Sequence, residues 1–529
     1  MKPVASFKAS RHNRGMRTKL LAALLAISLL SSCDSFVPSG KPSGPGGSSS
    51  SSASSSLPDD VTYYMEEDLP SSYSFSDGSF SEDDGTVTIT NTSGENLRYT
   101  LSGLSLSKIE VETDAAIELV LDNVTISGKK NTITLSGSGT VFIKLIGTNT
   151  ISSSKKGIKS EQNSVVIYSE SDGSLSITSY EDGIKLDGGR LRMLSGSLSI
   201  TVPEDAEEGD GIDAFAYVQD GGTVSVEALC SAKDEESKGI KAKGDDDSSV
   251  YSDPMGYIAI NSGELTIKSY GKALTANWDY SEDGDGELDG ENGTDPVASV
   301  FINGGTISIT TIGTPVEEGE DPDDSSYSLS PEGIEAKQHM VINDGTVEIS
   351  ATDDAMNAGA TLTINGGEIY AVSSGNDAID SNGTLEINGG TVIALGASAP
   401  EGGIDTDSDS NFTYTGGTLV AIGGDNSTPS SSATTGKAVT ATAASTMAIT
   451  TSSGDVVMAY TLPSSSYSGK SVLLASSELE KGSYRYVTGA AVTSTSDFHG
   501  LAEGDVTLSG GSSVSFTISS KVTAVRTGR

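Results

Sequence analysis

The chain has 529 residues, 73 of them acidic and 32 basic, for a formal net charge of −41. Hydrophobic residues make up 35% and aromatics 5%, and the 62 glycines follow no strict triplet, which excludes collagen and wholesale disorder. So negative a chain repels nucleic-acid phosphates and anionic lipid surfaces, leaving cations, neutral polymers, or anionic polymers reached through a bridging cation. Three histidines (His12, His339, His499) give little scope for zinc clusters or a histidine-based triad.

Residues 1–19 carry Lys2, Lys8, Arg11, Arg14, Arg17 and Lys19 without an acid, and Leu20 to Leu30 is an apolar run too short to span a bilayer. The run ends in Leu30-Ser31-Ser32-Cys33, which resembles a bacterial lipobox whose cysteine is acylated; the alternative is an ordinary signal peptide with an incidental cysteine. Residues 1–32 are therefore read as a lipoprotein signal peptide with Cys33 as the lipidation site. Their removal leaves 73 acids against 26 bases, a charge of −47. The other cysteine, Cys230, then lacks an intrachain partner and is expected in the core. Residues 33–58, rich in Ser, Gly and Pro, read as a flexible spacer.

Between 59 and 424 one pattern repeats. A small residue, an aliphatic and a polar residue recur as Gly157-Ile158-Lys159, Gly183-Ile184-Lys185, Gly211-Ile212-Asp213 and Gly239-Ile240-Lys241. The series continues at Ala273-Leu274-Thr275, Gly333-Ile334-Glu335, Ala355-Met356-Asn357, Ala378-Ile379-Asp380 and Gly403-Ile404-Asp405. A second motif, seen in Asn303-Gly304-Gly305-Thr306-Ile307, Asn365-Gly366-Gly367-Glu368-Ile369 and Asn388-Gly389-Gly390-Thr391-Val392, joins a glycine turn to apolar alternation of period two. Short strands at this period suit a solenoid better than a β-propeller, whose blades need about 40 residues or more. The interval from Ala273 to Gly333 is long enough for two coils plus insertions. Acidic insertions occupy 244–256, 279–296 and 313–331. The run Asp283–Asn292 departs from an EF-hand loop at Leu288 and Gly290 and reads as an acidic loop. Residues 425–436 read as a linker, and 437–529 as a C-terminal β-rich cap or small β domain.

With "IELVLDNVTIS", "GTNTIS" and the alternating "DGI[DK]" and "NGGT[IV]" units in view, the chain from about Gly85 to Gly424 resembles a bacterial family of calcium-binding, carbohydrate-binding parallel β-helix proteins that attach to cellulose and pectic acid. That resemblance implies an all-β, right-handed parallel β-helix of the pectate-lyase type, a Ca2+ cofactor and a polysaccharide partner.

The polar flanks of the central aliphatic should point outward: Asp210/Asp213, Glu332/Glu335, Asp354/Asn357, Asp377/Asp380 and Asp405. Coils stacked about 4.8 Å apart would align them into carboxylate columns that repel unless a hard cation neutralises them. A solvated acidic face is the other reading, and the two stand level at Asp210/Asp213. Lys156/Lys159, Lys238/Lys241 and the Asp182/Lys185 pair break the acidic pattern and suggest ion pairs instead. Trp278 and Tyr280 read either as a sugar-stacking platform or, for Trp278, as a plug in the wall.

These readings converge on a lipid-anchored carbohydrate-binding protein of the cell envelope, held to the membrane by its N-terminal lipid alone and not contacting nucleic acid. A calcium-dependent pectate lyase, with Lys185 or Lys241 as base, is the enzymatic alternative; a structural surface adhesin is the third.

Overall fold

The computed structural model describes residues 69–245, 256–279, 298–317, 319 and 326–526. The lipidation site Cys33, the segments 1–32 and 33–58, Tyr280 and most of the three acidic insertions lie outside the described residues.

Each coil contributes three strands to three parallel stacks. One coil runs Ile334–Ala336, His339–Ile342 and Thr346–Ala351; the next runs Met356–Ala358, Thr361–Ile364 and Glu368–Ser373. Their registers pair Ile334 with Met356, Met340 with Leu362, and Ile349 with Ala371. We call the stacks the first, second and third sheets in that order. The first two merge where Ile184–Met193 and Ile212–Gln219 run through the corner between them. The molecule is thus a parallel β-helix, and inward side chains from all three sheets form one continuous apolar core.

The motif aliphatics build the first sheet. Ile158 pairs with Ile184, Ile184 with Ile212, Ile212 with Ile240 and Ile240 with Leu274. The series goes on through Ile334, Met356, Ile379 and Ile404, every member fully buried. Burying each such side chain is worth about 1.5–3 kcal/mol, so the repeat supplies the stack with its driving force. Leu274 and Ile334 are direct neighbours, so the long interval between them is one coil carrying insertions, not two.

The Asn-Gly-Gly turns separate the second and third sheets. Asn303, Asn343, Asn365 and Asn388 each donate Nδ2–H to the Oδ1 of the asparagine one coil earlier, at 2.8–3.1 Å, starting from Asn261. Asn261 in turn donates to Asp220, which Arg192 holds at 2.6 Å. The chain then turns through positive φ: at Gly367 φ is 85°, and a Cβ would stand 2.7 Å from the Gly345 carbonyl oxygen. No L-residue with a side chain fits there without strain.

Thr418–Gly423 ends the third sheet's parallel ladder. Ser471–Ser476 pairs antiparallel beside it, Lys437–Thr442 beside that and Val522–Ala524 parallel at the edge, while a six-stranded antiparallel sheet and a two-stranded one form the rest of the C-terminal region. This region covers the outer face of the last coils, where Ile393, Leu395, Val420 and Ile422 form a second core with Met447, Tyr460 and Tyr486. The stretch 425–436, expected as a linker, is bonded along the last coil: Asn426 Oδ1 accepts from Gly403 N, Ser427 donates to Asp405, and Thr428 donates to Asp409. Cys230 is a buried free thiol whose Sγ donates to the Ala206 carbonyl.

Candidate functional site

The motif's polar flanks gather at the corner where the third sheet hands the chain to the first. The residue after each aliphatic forms one file: Lys185, Asp213, Lys241, Thr275, Glu335, Asn357, Asp380 and Asp405 are successive neighbours. The residue two before each aliphatic forms a second file beside it, containing Asp182, Asp210, Lys238, Lys272, Glu332, Asp354 and Asp377. All the expected carboxylates are therefore brought together. Most are far less solvated than an outward-pointing flank suggests: Asp354 is only 4% exposed, whereas Asp380 is half-buried and Asp405 exposed.

The second file is first of all a backbone device. Asp182 Oδ1 accepts from Asp210 N at 2.9 Å and Asp210 Oδ1 from Lys238 N at 2.8 Å. Asp354 Oδ1 accepts from Asp377 N at 3.0 Å, and Asp377 Oδ1 from Gly402 N at 2.5 Å. Each aspartate thus satisfies a buried N–H of the next coil.

Charge divides the corner into two halves. Towards the N-terminus lysines interleave with acids: Lys156 bridges Glu181 and Asp182 at 3.0 and 2.9 Å, and Asp213 lies 2.5 Å from Lys185 and 3.0 Å from Lys241. A polar cleft of about 200 Å³ opens there, with Lys156, Asp182, Asp210, Asp213 and Lys241 among its walls. The coil at Glu332 is the last of this half. Lys272 holds Glu332 and Glu335 at 2.5 and 2.8 Å, and Lys337 meets Glu335 at 2.5 Å. Burial opposes the charge on Glu335, but Lys272 and Lys337 outweigh it and hold the carboxyl at about 2. Burial and the adjacent Glu335 push Glu332 up to about 7 despite Lys272.

Beyond Glu335 the lysines stop. Among the described residues, Asp354, Asp377, Asp380 and Asp405 have no basic partner. Burial, then the charges of Glu332, Asp380, Asp353 and Asp377, push Asp354 up to about 9. Burial and neighbouring acids, Asp405 first, raise Asp377 and Asp380 to about 7. Asn357 donates to Asp354 at 3.3 Å and to Glu332 at 3.2 Å, and its Oδ1 accepts from Asn382.

Among the described residues no three His, Cys, Asp or Glu side chains converge as a ready-made metal cage. The unpaired half is nonetheless lined by carboxyl oxygens, and the burial and mutual repulsion that raise Asp354, Asp377 and Asp380 are what a hard cation relieves, so it suits one in ligand type. Asp210, Asp213, Glu332 and Glu335 already have lysine partners. Of the lysines expected in ion pairs, Lys156, Lys185 and Lys241 form them, Lys185 with Asp213 and not with Asp182, which pairs with Lys156; Lys159 and Lys238 form none among the described residues. The ion pairs of Lys272 and Lys337 were missed, although Lys272 stands two before its aliphatic, as Lys156 and Lys238 do. The backbone of Trp278 lies in strand Leu274–Asp279, opposite Gly244; its side chain falls outside the described set.

A family model described as carbohydrate-binding domain-containing protein matches residues 83–378, more than half of the chain. The chain belongs to that family. The match spans the coils from the first strands to Asp377 and so takes in the paired half of the corner and the start of the unpaired half. Neither a curated protein nor a solved structure matches the chain. Membership makes polysaccharide the partner class of this carbohydrate-binding domain.

Proposed function

We propose that the protein is a lipid-anchored, cell-envelope receptor that binds acidic polysaccharide of the pectic-acid type in a calcium-dependent way, without cutting it. The observation that carries this reading is the unpaired carboxylate half of the corner, at Asp354, Asp377, Asp380 and Asp405. A chain of −41 repels a polyuronate at long range. Calcium, when bound, supplies the positive charge that two polyanions need in order to meet. Asp380 and Asp405, the less buried members, face the polymer, while Asp354 and Asp377 keep their backbone bonds and lend charge from behind.

Cleavage needs a neutral base beside the sugar C–H. Burial works against the charge on Lys185 and Lys241, yet Asp213 and Asp182 raise Lys185, and Asp210 and Asp213 raise Lys241, above the ordinary lysine value. Both lysines are thus held charged and hydrogen-bonded, which suits an ion pair and not a lyase base.

The test is retention on insoluble polygalacturonate with calcium or with chelator, followed by an assay for unsaturated products. Retention only in calcium and no product is expected. Chelator-insensitive retention defeats the bridge, and product lost in Lys185→Ala or Lys241→Ala makes the protein a lyase. Anchoring rests on the lipobox-like Leu30–Cys33 and the serine-rich spacer after it, since two or more acyl chains give a stable anchor. Cys33→Ser should move the protein to the soluble fraction; a variant that still sediments with membranes ends that part of the reading.

A further inference from the structure

The outer face of the third sheet carries a regular pattern that the acidic corner does not use. Register places Thr150, Ser176, Ser199, Ser225, Thr266 and Ser308 in one unbroken file down its middle. Among the described residues their hydroxyls have no side-chain partner beyond the 3.3 Å contact of Thr150 with Thr125. At about 4.8 Å per coil the file extends roughly 24 Å. On either side of it the outward positions of the same strands are again mostly Ser and Thr, and charge is confined to Glu227, Glu264 and Lys268. For a protein of −41 this is a nearly neutral surface.

The same file changes character further on. Glu348, Tyr370, Ile393 and Val420 continue it, and from Tyr370 onward the C-terminal region packs over it. His499 marks the border, stacked on Tyr370 with ring centroids 3.8 Å apart and 3.0 Å from Glu348. The face is apolar where protein covers it and hydroxyl-bearing where it is open.

An apolar ridge edges the open part. Tyr180, Pro203, Leu229, Tyr270 and Ile312 each follow the last residue of a third-sheet strand, in five successive coils. Tyr180 is 43% and Ile312 41% exposed, the others half-buried. Pyranose rings offer C–H faces that stack on tyrosine rings and aliphatic side chains, and hydroxyls that exchange hydrogen bonds with serine and threonine. The ridge and the hydroxyl file present both halves of that chemistry side by side, repeated once per coil.

We propose that this face is a second glycan-binding surface, which takes a neutral, extended polysaccharide chain without calcium. The near absence of charge selects a neutral polymer over a uronate, and the one-dimensional repeat selects an extended chain over a compact oligosaccharide. The family match at 83–378 contains the whole surface. The proposal rests on the carbohydrate-binding reading and adds to it the place of a second site and its independence of calcium.

The experiment measures retention on insoluble β-1,4-glucan in chelator, and on polygalacturonate in calcium, for the wild type, a Tyr180→Ala/Tyr270→Ala double variant and Ser225→Arg. The wild type should bind the glucan in chelator. Both variants should weaken that binding tenfold or more while their polygalacturonate retention stays at the wild-type level. Melting curves monitor folding, and if the tyrosine pair proves unstable the Ser225→Arg change, at a half-buried position of the outer face, carries the test. Wild-type-level glucan binding by the folded variants overturns the proposal. So does a wild type that ignores glucan yet binds polygalacturonate, and that result leaves the calcium reading standing. Loss of polygalacturonate binding alone defeats only the calcium reading. A wild-type dimer in sedimentation that the substitutions dissociate would assign the face to a second copy of the chain, and the proposal would fall.

Discussion

Asp354 performs two tasks that pull against each other. Its Oδ1 accepts the buried Asp377 N–H, which any good acceptor could do, while burial and the acids around it make a charge there costly. A carboxyl raised from an ordinary 3.8 to about 9 keeps its proton in the folded state long after the unfolded chain has lost it. The stability this confers is full below about pH 4 and is lost as pH rises towards 9. Asp377 and Asp380 act in the same direction with a window that closes near 7. Glu335, held near 2 against an ordinary 4.5, acts oppositely: its contribution is present above pH 4.5 and lost as pH falls towards 2. In chelator the melting temperature should therefore peak in mild acid and decline through pH 8. Asp354→Asn keeps the acceptor and needs no proton uptake on folding, so at pH 8 in chelator it should stabilise by about 1 kcal/mol or more. Asp354→Ala strands the Asp377 N–H and should cost about 1–3 kcal/mol relative to the Asn variant. Equal melting temperatures for the two variants would mean that the backbone bond contributes nothing.

At the scale of the strand, the sequence betrayed two sides of the coil and concealed the third. Gly-Ile-Asp units announce the first sheet because their aliphatics recur at the coil period, and Asn-Gly-Gly-Thr announces the third because alternation follows a turn that needs glycine. The second-sheet strands, such as Thr361–Ile364 and Phe412–Tyr414, are short and buried on successive positions, so they show neither alternation nor a turn signal of their own. The carboxylate files were legible as positions, since the spacing from the core aliphatic is constant. Their division into paired and unpaired halves was not, because an ion pair such as Lys272–Glu332 joins residues 60 apart in sequence that become neighbours only after an insertion is skipped. The docking of the C-terminal region was also hidden. Ile393 and Leu395 read as ordinary strand apolars, and only the register shows that they stand on the outer face, where earlier coils carry Ser and Thr.

A solenoid is held together coil to coil, so a local imbalance stays local in proportion to the distance from it. In this molecule the imbalance has an address. From Lys156 to Lys337 the corner is stitched by lysines, and from Asp354 to Asp405 it is not. Removing calcium at pH 8 should leave the stitched coils as they are and loosen the unpaired ones, through sub-global opening and not through global unfolding. Hydrogen exchange followed peptide by peptide reads this directly. Amides of Met356–Ala358, Ile379–Ser381 and Ile404–Thr406 should exchange faster in chelator and recover protection in calcium, whereas those of Ile158–Ser160 and Ile240–Asp245 should be indifferent. Lowering the pH to 5 in chelator should restore much of the lost protection, because protons then neutralise the same carboxylates. A calcium effect spread evenly along the helix, or confined to the lysine-bearing coils, would show that the cation acts somewhere other than the unpaired file, and the acidic corner would revert to a solvated face.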